Sequence, residues 1–144
     1  MTSINPYLTF NGNCEEAFTF YKSVFGGEYA HIGRYGEMPP GEYPLPDSEA
    51  NKIMHVSLPI SSETVLMGSD SSEAFGQTTV MGNNISISVN TETKDEAFRI
   101  FEQLSAGGQV TMPIDKTFWG AWFGMFIDKF GINWMVNFDE EPMK

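Results

Sequence analysis

Two histidines and one cysteine carry the side chains of this chain most suited to acid–base or nucleophilic work near neutral pH. His55 lies in KIMHVSLPI, where Met54, Val56 and Leu58 share one face of an alternating strand. His55 then shares the other face with Ile53 and Ser57. With the apolar face on a helix, its imidazole is presented to the open side, where it could accept a proton or orient a ligand. The competing reading is a structural histidine satisfied by a backbone carbonyl, a common role for a lone histidine. His31, beside Tyr29 and Gly33, carries less functional weight. Cys14 falls in the first turn of a predicted helix, where it packs rather than attacks, although a helix N-terminus lowers a thiol pKa. No Ser-His-Asp spacing is present. The glycines at 120, 124 and 131 fit neither a dinucleotide nor a Walker loop.

The other stretch with a plan of its own is KTFWGAWFGMFIDKFGINWMVNF, residues 116–138, which holds all three tryptophans. A Gly-punctuated aromatic run leads to a turn at Asp128-Lys129-Phe130-Gly131. Residues 132–138 then alternate, with Trp134, Val136 and Phe138 against Asn133, Met135 and Asn137. This predicts a β-hairpin with one face on a core. Glycine inside a strand often marks a bulge, or the close approach of a ligand or another backbone.

The elements that must position these residues are read in order. Residues 4–10 alternate as a strand. Asn13 and Glu16 form a capping-box pattern before a helix whose apolar face is Cys14, Ala17, Phe18, Tyr21, Val24 and Phe25, stopped by Gly26-Gly27. Residues 28–35 make a second strand, and 37–51 a long surface loop rich in Pro and Glu, expected to act as a lid. Residues 52–60 and 64–69 form a hairpin. After a polar connection the order repeats: a strand over 84–89, a helix capped by Thr93 with Glu96 three residues on, a Gly107-Gly108 stop, a strand over 109–114 and the aromatic hairpin. Glu-Ala-Phe recurs at 16–18 and 96–98. The reading is an α+β fold of two βαβββ modules, curled as a mixed sheet around a cavity with helices on the outer face. It forms a single domain over 1–144, with module one at 4–69, a connection at 70–82, module two at 83–138 and a tail at 139–144.

Eight basic against nineteen acidic residues give a net charge of −11, which argues against nucleic acid and anionic membrane as partners. The single cysteine forms no internal disulfide. The N-terminal MTSINPYL lacks a basic or apolar leader pattern, and no apolar run approaches the ~20 residues of a membrane span. A cytoplasmic protein is expected.

Three ordered segments, PYLTFNGNCEEAFTFYKSVFGGE, KIMHVSLPI with TVLMGSD, and KTFWGAWFGMFIDKFGINWMVNF, resemble the PhnB-like, glyoxalase-like proteins of the vicinal oxygen chelate (glyoxalase, bleomycin resistance and dioxygenase) superfamily. The resemblance covers nearly the whole chain. It implies a small-molecule ligand and, in most of the superfamily, a divalent metal held by His, Glu or Gln at four inward positions, in the first and last strand of each module. Carried over, those positions fall on Asn5 (with Pro6 as its alternative) and Met67, and on Asn84 and Met135. Thioethers and amides suit zinc, nickel, iron or manganese poorly. No metal and no cofactor are therefore expected. Some members of this family carry a ubiquinone-pathway methyltransferase label, which the sequence discounts, since no Gly-rich strand-to-helix turn is present.

The expected cavity wall is apolar and aromatic: Tyr7, Met67, Met135, Phe118, Trp119 and Trp122, with Asn5, Asn84, His55, Ser57 and Ser86 as its polar groups. Such a wall suits a small, partly aromatic or apolar ligand in a cavity shared by two modules or by the chains of a homodimer. The alternative is an enzyme of the same superfamily, of lyase, isomerase or dioxygenase type. It would use His55 as acid or base, or a metal at displaced ligands.

Overall fold

The computed structural model describes residues 2–39 and 45–140. The chain divides into two compact units, Met1–Val80 and Met81–Lys144. Each unit builds one four-stranded mixed sheet with the same connectivity.

In the first unit the strands are β1 (Tyr7–Phe10), β2 (His31–Arg34), β3 (Ile53–Pro59) and β4 (Val65–Asp70), in the order β1-β4-β3-β2. β1 runs parallel to β4, and the other pairs are antiparallel. Helix α1 (Cys14–Phe25) buries Cys14, Ala17, Phe18, Tyr21 and Val24, the three- and four-residue spacing of one helical face. They meet Phe10, Val56, Leu58 and Leu66 in a closed apolar core. A Cβ at Gly68 would lie 2.7 Å from Phe18 Cε1, so this strand must be bare where the helix crosses it.

Three local expectations need correction. Asn13 makes no capping hydrogen bond. The α1 N-terminus is held instead by Asp70, whose Oδ1 accepts from Gly12 N (3.0 Å) and Cys14 N (2.9 Å), while Oδ2 accepts from Ile53 N (2.8 Å). Second, a bulge between Gly33 and Arg34 puts His55 opposite Gly33 but Ile53 opposite Arg34. Arg34 reaches Glu15 on α1, so Ile53 turns to the helix side and does not share the face of His55. Third, the 37–51 loop is not structureless. A 3-10 turn occupies Tyr35–Glu37 and helix α2 spans Asp47–Ala50. The middle of that expected lid, residues 40–44, lies outside the described residues. The buried Glu49 carboxylate pairs with Lys52 and accepts from Ser72 Oγ (3.1 Å) and Glu73 N (2.9 Å), which anchors the segment after β4.

The second unit contains β5 (Ile87–Asn90), α3 (Lys94–Ser105), β6 (Gln109–Lys116), β7 (Ala121–Ile127) and β8 (Asn133–Asp139), with sheet order β5-β8-β7-β6. Here the predicted cap forms: Thr93 Oγ1 accepts from Glu96 N at 3.1 Å. Ala97, Ile100, Phe101 and Leu104 of α3 pack on Phe126, Trp134 and Val136. Gly124 marks close approach within the fold, since a Cβ there would lie 2.5 Å from Phe101 Cε2 and 2.9 Å from Ile114 Cα. Gly120 and Gly131 serve turns, with φ of +91° and +92°. Asp128 organises the β7–β8 turn: Oδ1 accepts from Phe130 N and Ile132 N, and Oδ2 from the buried Trp134 Nε1 at 2.8 Å.

Candidate functional site

Because alternate strand residues face opposite sides, the helix-packed set in the first sheet leaves Tyr7, Thr9, His31, Gly33, His55, Ser57, Met67 and Ser69 on the open side. Register carries one row straight across this face: His31 opposite Ser57, Ser57 opposite Met67, Met67 opposite Tyr7. His55 stands in the next row and links the two ends. Its ring stacks on Tyr7 (centroids 5.8 Å, interplanar angle 29°) and lies 5.6 Å from the ring of His31. Tyr7 Oη is 3.4 Å from His55 Nδ1. Gly33, opposite His55, leaves room for this cluster, since a Cβ there would meet His31 Cε1 at 3.0 Å and Glu37 Oε2 at 3.9 Å. Tyr7 and His31 are exposed and His55 is half-buried. The three rings form a solvent-reachable cluster, mutually inclined by about 30°, carrying one phenol and two imidazoles.

Of the residues expected to form a site in this unit, Tyr7, His55, Ser57 and Met67 are brought onto one face. His31 belongs with them more closely than its sequence neighbourhood implied. The missing signal was register: β2 and β3 are separated by the long 35–52 segment, so no short turn announces which residues pair.

The second unit distributes its expected residues differently. Trp122 is not on the open face. It stands on the α3 side, with Phe98 at 5.5 Å between ring centroids, Lys94 Nζ 4.0 Å over its ring, and Nε1 donating to Glu140 Oε2 at 2.9 Å. The reason is parity, because Trp122 shares its face with Gly124 and Phe126, which meet α3. Phe118 and Trp119 form the exposed β6–β7 turn, edge to face at 4.8 Å, and Trp119 leans toward Phe123 on the open face (6.4 Å). Met135 is on that face, opposite Met125 and Ser88. Ser86 precedes β5 and is half-buried.

The four positions carried over for a metal are not all cross-strand partners. Pro6 has no N–H to give a ladder, and β1 begins only at Tyr7, so Tyr7 rather than Asn5 is the partner of Met67. The amide of Asn5 is used structurally, Oδ1 accepting from Val65 N at 3.0 Å. Asn84 lies before β5, and the partner of Met135 is Ser88. The donors at the register positions are then one phenol and one thioether in one sheet, one hydroxyl and one thioether in the other. This set does not fit a borderline or hard divalent metal. Among the described residues no three His, Cys, Asp or Glu side chains gather as a metal site.

Two further groups of this unit, Glu15 and Cys14, are committed to the fold. Arg34 holds the Glu15 carboxyl below its ordinary value through a 2.6 Å contact. Cys14 is fully buried, and burial, then the charges of Asp70 and Glu15, push its thiol well up. It is not a nucleophile.

Comparison with known proteins places this architecture. A family model described as 3-demethylubiquinone-9 3-methyltransferase matches residues 2–137. Protein YjdN of Escherichia coli K12 is 30% identical, with 93% of each chain covered. The crystal structure of protein PA1353 from Pseudomonas aeruginosa matches with a TM-score of 0.86 at 42% identity, covering 98% of this chain and 100% of that one. A Bacillus cereus PhnB protein, a putative 3-demethylubiquinone-9 3-methyltransferase, matches at 28% identity and TM-score 0.74 over 95% and 99% of the two chains. At 13% identity and TM-score 0.63, over 96% of each chain, a glyoxylase/bleomycin resistance protein/dioxygenase domain from Frankia sp. EAN1pec shares the fold alone. The chain belongs to the 3-demethylubiquinone-9 3-methyltransferase family, the PhnB-like branch of the glyoxalase/bleomycin resistance/dioxygenase fold.

Proposed function

We propose that this protein binds a small, planar, partly aromatic or apolar molecule on the open face of its first sheet, without the divalent metal of its superfamily, and that it works as a homodimer. The observation that carries this reading is the ring cluster of Tyr7, His55 and His31. A stacked aromatic pair contributes about 0.5–1.5 kcal/mol beyond area burial, and rings already held against one another need little ordering on binding. Met67 and Ser57 add an adaptable thioether and one hydroxyl to the same face.

A second reading is catalysis, with His55 as acid or base toward a ligand stacked on Tyr7. The Tyr7 Oη to His55 Nδ1 distance favours it, because a phenol at that nitrogen leaves Nε2 to act on a substrate. Methyl transfer, which the family description names, has less support. The strand-to-helix connections here are Asn11-Gly12-Asn13 and Thr91-Glu92-Thr93, and neither is the Gly-rich turn that a doubly wound sheet uses for a nucleotide-like cofactor.

The test is a fluorescence titration of the native protein with 1-anilinonaphthalene-8-sulfonate, a planar aromatic probe. Saturable binding that weakens about tenfold in His55→Ala and Tyr7→Ala supports the reading. Binding by wild type and both variants alike, or no binding, overturns it. A sedimentation mass of one chain at micromolar concentration refutes the dimer.

A further inference from the structure

The open face of the second sheet carries a feature that the first lacks. Met112 on β6 stands opposite Met125 on β7, which stands opposite Met135 on β8, which stands opposite Ser88 on β5. All three thioethers are on the side away from α3, because Gly124, Phe126, Trp134 and Val136 take the helix side. The row depends on irregular backbone. Register shifts flank Met112 on both sides, between Val110 and Met112 and again between Met112 and Asp115. An unbroken ladder from Val110–Phe126 would set Thr111, not Met112, against Met125. Bulges of this kind re-aim single side chains, and here they complete a set of three.

The surroundings favour a cation. By register the same face holds Asp115, Asn90, Asn133, Asn137, Gln109, Phe123 and Ile127 with the three methionines and Ser88, and no Lys, Arg or His among them. Met112 is exposed, and Met125 and Met135 are half-buried, so solvent reaches the sulfurs. The outer two strands are about 10 Å apart, two strand spacings, and methionine has three rotatable bonds with which to converge over Met125.

We propose that Met112, Met125 and Met135 form a trigonal thioether site for a soft monovalent cation, Cu(I) or Ag(I). Thioethers select such ions and reject zinc, nickel and manganese. The site uses no residue of the first sheet.

The experiment is an anaerobic competition of the full chain against a chromophoric Cu(I) chelator, with Ag(I) as a redox-inert check read by the methionine methyl resonances. One equivalent of Cu(I) should be withdrawn from the chelator, with the methyls of Met112, Met125 and Met135 shifting together. Met125→Leu and Met112→Leu keep volume and fold, confirmed by an unchanged Tm, and should each lower Cu(I) affinity at least tenfold. No withdrawal of Cu(I), wild-type affinity in both variants, or loss of binding in His55→Ala or His31→Ala instead would overturn the site.

Discussion

Tyr7 and His55 belong to strands that are not neighbours, since β4 runs between β1 and β3, yet their rings stack and their polar atoms lie 3.4 Å apart. The contact crosses over Met67 and Ser69 on the open face. Tyr7→Phe keeps the ring and removes the phenol, whereas Tyr7→Ala removes both. If stacking holds the ligand, Tyr7→Phe should bind 1-anilinonaphthalene-8-sulfonate within about twofold of wild type, and Tyr7→Ala about tenfold more weakly. Equal losses in the two variants would assign the binding to the phenol.

The donors at Tyr7, Met67, Ser88 and Met135 lead to a second prediction. Protein purified without chelator should contain no stoichiometric zinc, nickel, iron or manganese by elemental analysis, and titration with each should show no tight site. One tightly held divalent ion per chain would refute this, and His55→Ala with His31→Ala would then be the first variants to assay for its loss.

Much of this fold was legible because its signals are local. Helical spacing from Cys14 to Val24, Thr93 followed by Glu96, and the alternation of Trp134, Val136 and Phe138 all act within one element. What was not legible depends on pairing. The capping of α1 by Asp70 joins residues 56 apart, and the side-chain acceptor that the sequence offered, Asn13, is left unused. Trp122 was expected on a ligand-facing wall, and only the parity set by Gly124 against Phe101 sends it to the helix. Ile53 changes face through a bulge that no residue type announces, and the same holds for Met112. In the candidate site, His55 and Tyr7 could be named from alternation, but their union with His31 required the register of strands separated by a long segment.

The capping difference is directly measurable. Asp70→Ala leaves the N–H groups of Gly12, Cys14 and Ile53 without their acceptor, two of the three bonds being buried, and should cost roughly 3–5 kcal/mol in denaturant unfolding. Thr93→Ala should cost about 1 kcal/mol, and Asn13→Ala less than about 0.5 kcal/mol. A cost for Asn13→Ala equal to that of Thr93→Ala would mean that Asn13 caps in solution.

Acid stability should follow Glu49. Its carboxyl is held below the ordinary 4.5 first by Lys52, with further hydrogen bonds from Ser72 and Glu73 N. A carboxyl depressed in the folded state contributes stability that is present above the unfolded pKa and lost as pH falls through the folded one. Glu15, held low by Arg34, acts in the same direction. Urea midpoints should therefore be flat from about pH 7 to 5 with respect to these groups and fall below pH 4.5. Glu49→Gln should be less stable at pH 7 and show a shallower acid limb. An acid limb as steep as wild type would place the titration elsewhere.

Gly124 gives the sharpest packing test, because its neighbours are backbone and a ring wedged in the core. An added Cβ would meet Phe101 Cε2 at 2.5 Å and the N and Cα of Ile114 at 2.9 Å, below any real Cβ contact. Phe101 itself is edge-on to Phe126 at 5.2 Å between centroids, so it cannot swing away without opening that pair. Gly124→Ala should destabilise by about 1–3 kcal/mol through overpacking. Adding Phe101→Leu, which shortens the obstructing ring, should recover part of the loss. The rest should remain, because the β6 backbone at Ile114 still blocks the methyl. A double-mutant cycle with no coupling would show that the strand, and not the helix, is what keeps position 124 bare.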